Sequence, residues 1–580
     1  MYSIVKYILA AITAVALIAF EYYSIKKPTS KTPARSVPTI LELINRPAVS
    51  VVCFGVLFAL FLFTRLFHLG IAPAGLHIDE CGLCYDAVCI ANEGTDRFGY
   101  SHPVYFCNFH TGQSALYTYM LALLLKIAPF SAKLARTPAV IAASVAFIAM
   151  FGIGRRLTRS NLGGLIACSL MIITPYYLTS ERWALDCNLF LSLSIISFFL
   201  VLNAIDTKKT LYYVIAGLSL GLTLYTYIIS YLAIPVFALI TIIVIIIDNR
   251  KHGISFKAFA GKLAGMILPI GVLGLPLLIE QLVNLGVIGE FKLLGIDFYV
   301  FSSGRTEEFV PSNFFKNIGV LSKQLVSWDG LEYNALPAFG ALLLPMVVLA
   351  VYGLYLCLKK IIRGENRVTM ILVLAFFAAG YLVNLMMKIP NFNRYNELFL
   401  PLLIFNLLAI CEPLHYIATD SARSSRRSTL IALPSIISAI SVIICFMFFG
   451  KYYFMDMNDE YRHMNLFCST EILDMITRSE ELYDTDRDKD YSICIEYDSL
   501  AGQDLLIAAR GNVASADWRA YDSGLSGTKL GRFDLNFDDQ SINDNTIYII
   551  GTSWNFISGY LEQIGFNTDR EHYRYTIQWK

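Results

Sequence analysis

Apolar positions dominate this chain in long unbroken runs, and the polar positions collect between them. A helix needs about twenty apolar residues to cross the ~30 Å hydrocarbon layer of a bilayer. Runs of that order recur at 4–20, 49–67, 136–154, 163–178, 188–205, 211–229, 231–247, 262–279, 336–358, 368–387, 395–411 and 429–449, which predicts about a dozen transmembrane helices. Three long polar segments interrupt the series, at 68–135, 280–335 and 450–580. The stretch from Ala115 to Phe130 is apolar enough to tempt a further span. Counting it would put Arg155 and Arg156 on the outer side, so it reads as an interfacial or re-entrant helix.

The last segment follows another pattern. An acidic helical stretch near Thr470–Leu482 precedes strand-like runs at Tyr491–Tyr497, Thr546–Gly551 and near Tyr573–Trp579, which predicts a small α/β or α+β domain. The expected organisation is an N-terminal helix and basic linker over residues 1–48, a membrane module over 49–450, and an acidic domain over 451–580. The first run, led by Lys6, has the look of a signal peptide. No small-x-small cleavage pattern precedes Glu21, so it is expected to remain as a helix.

Charge gives the series a direction. If residues 21–48 are cytoplasmic, so are the short loops 155–162, 206–210, 248–261, 359–367 and 412–428, which carry Arg155, Arg156, Lys208, Lys209, Arg250, Lys359 and Arg426. The alternate loops are longer yet hold roughly half as many basic residues, as the positive-inside bias requires. Both termini and the three polar segments then lie outside. Composition agrees: 16% of residues are charged and 56% hydrophobic, where soluble domains carry roughly 25% charge. The net charge of +1 hides a segregation, because residues 451–580 hold 23 Asp and Glu against 12 Lys and Arg. With no basic run outside the short loops, nucleic acid is excluded as a partner.

The twelve cysteines divide in the same way. Cys53, Cys168, Cys357, Cys411 and Cys445 sit in apolar spans, where Cys behaves as a small hydrophobe. Cys81, Cys84, Cys89 and Cys107 share the first polar segment, Cys468 and Cys494 lie in the tail, and Cys187 sits at a helix end. Cys81-x-x-Cys84 with His77 nearby has half the spacing of a zinc site, but no second ligand pair follows. Free thiols or an external disulfide fit better. No cofactor is demanded, and a divalent cation is left as an option.

The first polar segment holds the densest chemistry, GLHIDECGLCYDAVCIANEGTDRFGYSHPVYFCNFHTGQSALYTYMLALLLKI. Asp79 and Glu80 fall about twelve residues beyond the second span, where charge must be solvated or partnered. By spacing alone they also suit the start of a helix, whose N-terminus favours acidic residues. Five further features recur along the chain: the Gly112–Lys126 stretch, Arg136 in LARTPAV, the basic turn GRRL (Gly154–Leu157), TPYYLTSERWALD (Thr174–Asp186) and NRYNELFLPL (Asn393–Leu402).

In order and in topological side these features resemble the C-type (GT-C) glycosyltransferase superfamily, in particular its protein O-mannosyltransferase and aminoarabinose-transferase-like branches. The resemblance spans roughly residues 49–412. Two features depart from it. Many relatives carry Lys-Pro or His-Pro-Pro before the membrane-edge helix, where this chain has His110-Thr111-Gly112-Gln113, and the helix at 4–20 lies outside the usual pattern.

The resemblance implies a GT-C-like, all-α polytopic membrane fold and a polyprenyl-phosphate-linked sugar as donor. An acceptor hydroxyl, on a protein, lipid or wall polymer, attacks the anomeric carbon and the lipid phosphate leaves. Asp79 is then the general base, and Glu80 either positions the acceptor or supports the site from behind. For the phosphate the expected residues are Arg394 first, then Arg182, then Arg305, because Arg grips phosphate in a bidentate fork and stays charged at an interface. Lys388 reads as an ordinary helix-end charge. Trp183, Tyr225, Tyr227 and Tyr231 are candidates for stacking on a sugar, with a belt of interfacial aromatics as the plainer reading. Two other functions compete. A secondary transporter or lipid-linked sugar flippase suits the span count but would show two related halves, and none is visible. A non-catalytic scaffold with a cell-wall-binding tail would tolerate loss of Asp79.

Overall fold

The computed structural model describes residues 2–26, 39–109, 111–301, 308–331, 334–419, 425–456, 467–482, 492–496, 502–538, 542–569 and 575–580. Ten of its helices are long and apolar enough to cross a membrane, and three shorter apolar helices accompany them at Ala115–Leu125, Asn161–Ile173 and Thr210–Thr223. This is a polytopic helical membrane protein. Two of the twelve expected spans thus correspond to short helices. The first stops because Pro175 forces Thr174 out of helical geometry (ψ 119°), and the chain resumes as the separate helix Pro175–Ser180. The second gives way to turns from Leu224 to Ser230. The Ala115–Leu125 helix is the stretch read as a membrane-edge element.

Residue contacts divide the chain into two compact units. The first comprises residues 1–67, 139–278 and 305–453 and contains most of the long apolar helices. Within it the helices Leu344–Arg363 and Phe399–Thr419 pack together through Gly353. A Cβ at that position would lie 1.8 Å from the Phe405 carbonyl oxygen, so only glycine permits the approach. The N-terminal helix Tyr2–Lys26 packs on Leu344–Arg363 and on Ser425–Lys451. Its Glu21 is held by Lys359 at 2.5 Å and by the hydroxyls of Tyr352 and Tyr355.

The second unit gathers residues 68–138, 279–304 and 454–580. Tail and first loop share this unit. Its centre is a six-stranded sheet in the order Asn567–Asp569, Tyr575–Trp579, Thr546–Gly551, Ser492–Glu496, Phe533–Asp534, Lys529–Leu530. Thr546–Gly551 runs parallel to Ser492–Glu496, which runs parallel to Phe533–Asp534, and the outer pairs are antiparallel. All six residues of Thr546–Gly551 are buried, as befits a central strand covered on both faces. The helix Asn555–Gln563 closes one side through Ile557 and Leu561 against Tyr548, Ile550 and Phe566.

The tail also reaches the first loop directly. Phe467–Cys468 pairs antiparallel with Leu76–His77, placing Cys468 opposite Leu76. The tail helix Gln503–Gly511 packs on the loop helix Ile78–Glu93. At the far end of that loop helix, the Glu93 carboxylate accepts the Ser515 amide (2.9 Å) and hydroxyl (2.5 Å). Residues 400 positions apart thereby build one body around the acidic pair.

Candidate active site

The helix Ile78–Glu93 starts where it does because its first turn is capped from both sides. His77 Nδ1 accepts the Asp79 amide at 3.2 Å, and the His77 amide donates to Glu80 Oε2 at 2.8 Å, a reciprocal capping box. A ring nitrogen that accepts an amide carries no proton, so the 3.6 Å approach of His77 Nδ1 to Asp79 Oδ2 is not an ion pair. The helix ends at Gly94, whose φ of 74° is the left-handed cap that glycine adopts without strain.

The two acidic residues of the pair have opposite fates. Glu80 is fully buried and held by Arg136, Nε to Oε1 at 3.0 Å and Nη2 to Oε2 at 3.1 Å. Arg136 spends its other donors on the carbonyls of Leu69 (3.3 Å), Pro73 (2.9 Å) and Gly75 (2.6 Å). The guanidinium's five N–H groups are thus all engaged. Glu80 thereby ties the loop to the helix start from a fully buried position. Asp79 points the other way, with its side chain 46% exposed.

Among the described residues the Asp79 carboxylate has only long contacts. Asn108 Nδ2 donates to its Oδ1 at 3.4 Å, and Gln113 Nε2 donates to its backbone carbonyl at 3.4 Å. Both partners come from the hairpin Tyr105–Asn108 and Thr111–Ser114, in which Phe106 faces Gln113 and Asn108 faces Thr111. Asn108 can lie against the helix because residue 82 is glycine, where a Cβ would stand 2.1 Å from Asn108 Oδ1. Arg97 holds Asn108 in turn, donating to its Oδ1 at 2.9 Å and to the carbonyls of Gly82 (3.1 Å) and Cys107 (2.8 Å). A carboxylate with a fixed backbone and spare lone pairs can accept a proton from an incoming hydroxyl.

Beneath this surface lies a buried acidic group. Asp86 sits 3.6 Å from Arg97 and accepts its amide at 3.1 Å. Burial pushes its carboxyl up to about 7, against the pull of Arg97. Burial raises Asp96 as well, opposed by the amides of Phe98 and Tyr100 and the Tyr299 hydroxyl that donate to it.

Of the arginines expected at a phosphate, Arg182 and Arg394 belong to the first unit. Arg182 is fully buried and donates to the carbonyls of Thr64 (2.8 Å), Arg65 (2.8 Å) and Phe67 (2.7 Å). It caps the end of the helix Pro47–Leu66. Its neighbour Glu181 is buried against Arg65 Nε at 2.8 Å. The same motif meets the distant NRYNELFLPL: Tyr176 donates to Asn396 at 2.6 Å, and Asn396 donates to the Cys187 carbonyl at 2.7 Å. Trp183 is buried and the Tyr225 hydroxyl donates to Leu273. Arg394 is 16% exposed, paired with Glu308 at 2.9 Å and bonded to the Ile389 carbonyl at 2.6 Å. Arg305 lies outside the described residues.

All twelve cysteines are free thiols. Among the described residues no three His, Cys, Asp or Glu side chains converge in a way that could hold a metal ion.

Residues 113–273 match the family described as dolichyl-phosphate-mannose-protein mannosyltransferase. No curated protein matches the chain in sequence. Several solved structures are similar to it. One is ArnT from Cupriavidus metallidurans bound to undecaprenyl phosphate, at 8% identity over 92% of this chain and 98% of that one, with a TM-score of 0.49. Another is the archaeal oligosaccharyltransferase AglB from Archaeoglobus fulgidus, in complex with an inhibitory peptide and a dolichol-phosphate, at 11% identity over 80% and 63% and a TM-score of 0.45. A third is the arabinosyltransferase EmbB from Mycobacterium smegmatis, at 14% identity over 80% and 45% and a TM-score of 0.33. The chain thus spans less than two thirds of the length of AglB and of EmbB. The matched segment begins at Gln113 beside Asp79 and runs through Arg136 and the Thr174–Asp186 motif, so that over these residues the chain is similar to the mannosyltransferase family.

Proposed function

We propose that the protein transfers a sugar from a polyprenyl-phosphate-sugar donor to an acceptor hydroxyl on the extracytoplasmic face, with Asp79 as general base. The observation that carries this reading is the division of labour within the acidic pair. Glu80 is sealed into a buried pair with Arg136, while Asp79 stands half-exposed on the same helix turn with unspent acceptor capacity. The description of the matched family supports the donor class. The asymmetry of Lys and Arg along the chain supports the sidedness.

In the step, an acceptor oxygen forms a bond to the anomeric carbon as the bond from that carbon to the phosphate oxygen breaks. The hydroxyl proton passes to Asp79 and the electron pair leaves on the polyprenyl phosphate. General-base help of this kind contributes about 10²–10⁴-fold. A single displacement inverts the anomeric centre. Retention by double displacement would need a second carboxylate in reach of the sugar, and the buried Glu80 cannot serve. For the phosphate we retain Arg394, whose guanidinium would exchange the Glu308 carboxylate for the donor's phosphate.

The test is purified protein with a panel of polyprenyl-phosphate sugars, scored for release of polyprenyl phosphate in the presence of acceptor. At least one donor should be turned over, and Arg394→Ala should raise the donor KM and slow transfer together. A transporter or a scaffold would release none from the whole panel.

A further inference from the structure

The second unit contains a cavity of about 650 Å³ that does not include Asp79. That lies within the ~300–1,000 Å³ of small-molecule sites. Tyr100, Tyr299 and Trp518 supply aromatic lining, Asp504 and Asp522 supply carboxylates, and Arg97 supplies the cation. Tyr100 and Tyr299 stack at 3.7 Å with their planes 4° apart. The Tyr299 hydroxyl is fixed, donating to Asp96 at 3.2 Å and accepting the Cys107 amide at 3.2 Å.

Three features define what would fit. First, Trp518 is 5% exposed, packs against the Tyr85 ring, and its indole N–H has no hydrogen-bond partner among the described residues. A buried donor without an acceptor is unfavourable; the N–H has no surface open to the cavity, so an occupant brings an oxygen to it only as the ring shifts. Second, Arg97 is not a spare cation: Asp86, two carbonyls and Asn108 already engage it. With Asp504 and Asp522 beside it, the cavity disfavours anions. Third, the aromatic lining favours an occupant with an apolar face, and carboxylates accept hydroxyl protons. A neutral sugar ring has all of these: C–H faces, donor hydroxyls and acceptor oxygens. The cavity is also connected to the acidic pair, since Arg97 holds the Asn108 that donates to Asp79.

We infer that this cavity binds a neutral saccharide portion of the acceptor, with Trp518 and Asp504 as its recognition residues. This names the acceptor class for the transfer proposed above and rests on that reading for its role, though not for its binding.

The experiment uses the full chain in detergent micelles and two variants, Trp518→Phe, which keeps a ring but removes the N–H, and Asp504→Asn. Saturation-transfer NMR with methyl α-mannoside, methyl β-glucoside and methyl β-galactoside reads binding without turnover, with glucuronate and a Ser/Thr peptide as controls. At least one neutral glycoside should bind, more tightly than glucuronate, and should weaken at least ~10-fold in each variant at unchanged melting temperature. In the transfer assay the same variants should raise the acceptor KM and leave kcat within about twofold. Equal glycoside binding in wild type and variants overturns the assignment, as does no glycoside binding at all. Preferential, Trp518-dependent binding of the peptide overturns it in favour of a protein acceptor. If no donor is ever turned over, the transferase reading fails, while Trp518-dependent glycoside binding still decides the cavity.

Discussion

Two places in this molecule set charged residues side by side at the start or end of a helix, and they use them differently. In the first unit, Glu181 and Arg182 are both buried. One neutralises Arg65 and the other caps the helix Pro47–Leu66 through three carbonyls. In the second unit, Glu80 is buried in the same manner against Arg136, but its neighbour Asp79 is left half-exposed with only long contacts. Charged motifs in a membrane protein are therefore mostly scaffold, because a charge taken from water must find its partners inside the fold. Chemistry is to be sought where one member of such a motif escapes that pairing.

The largest expected effect tests the scaffold half of this comparison. Glu80→Gln strands the Arg136 charge and Glu181→Gln strands Arg65, and breaking one side of a buried pair costs about 3–5 kcal/mol. Both variants should give poorly folded protein, measured as lost yield of monodisperse material and a lowered melting temperature. Replacing both partners of a pair by apolar residues of similar size, Glu80→Met with Arg136→Met, should recover much of the loss. Normal melting in Glu80→Gln would return Glu80 to the list of catalytic candidates.

A smaller effect follows from Asp86, beneath the proposed site. Its folded carboxyl is pushed from an ordinary 3.8 up to about 7 by burial. A carboxyl raised in this way holds its proton in the fold where the unfolded chain has lost it. The stability it lends is full below about pH 4 and is lost as pH climbs through about 7. Asp86→Asn cannot ionise, so its melting temperature relative to wild type should improve steadily between those limits. A constant difference across the range would mean that Asp86 does not titrate there.

Much of the fold was legible in the apolar runs, because a span must be long and apolar whatever it packs against. The short apolar helix Ala115–Leu125 and the tail strand Thr546–Gly551 fall where the pattern places a helix and a strand. The two short helices were less legible, since hydropathy continues across the break that Pro175 makes in the chain. The union of tail and first loop was not legible at all. It rests on pairings such as Leu76 with Cys468 and Glu93 with Ser515, which leave no local signature.

The site was half legible. The Asp79-Glu80 pair and Arg136 stand out in the sequence, yet nothing there says that Glu80 belongs to Arg136, 56 residues away. Asn108 carried no signal beyond its place in the loop; only Gly82, a glycine inside a helix pattern, hinted at a close approach. The helix-capping contacts of Arg182 were not legible, because an arginine near a membrane edge reads the same whether it binds phosphate or caps a helix.

The comparison is tested most directly by turnover in Asp79→Asn. The substitution preserves size and the helix start but removes proton-accepting capacity. At saturating donor, folded Asp79→Asn should transfer at least ~100-fold more slowly than wild type while melting at the same temperature. Near-wild-type turnover in that folded variant would contradict the account, because the one member of the acidic pair left outside the buried scaffold would then have no part in the chemistry.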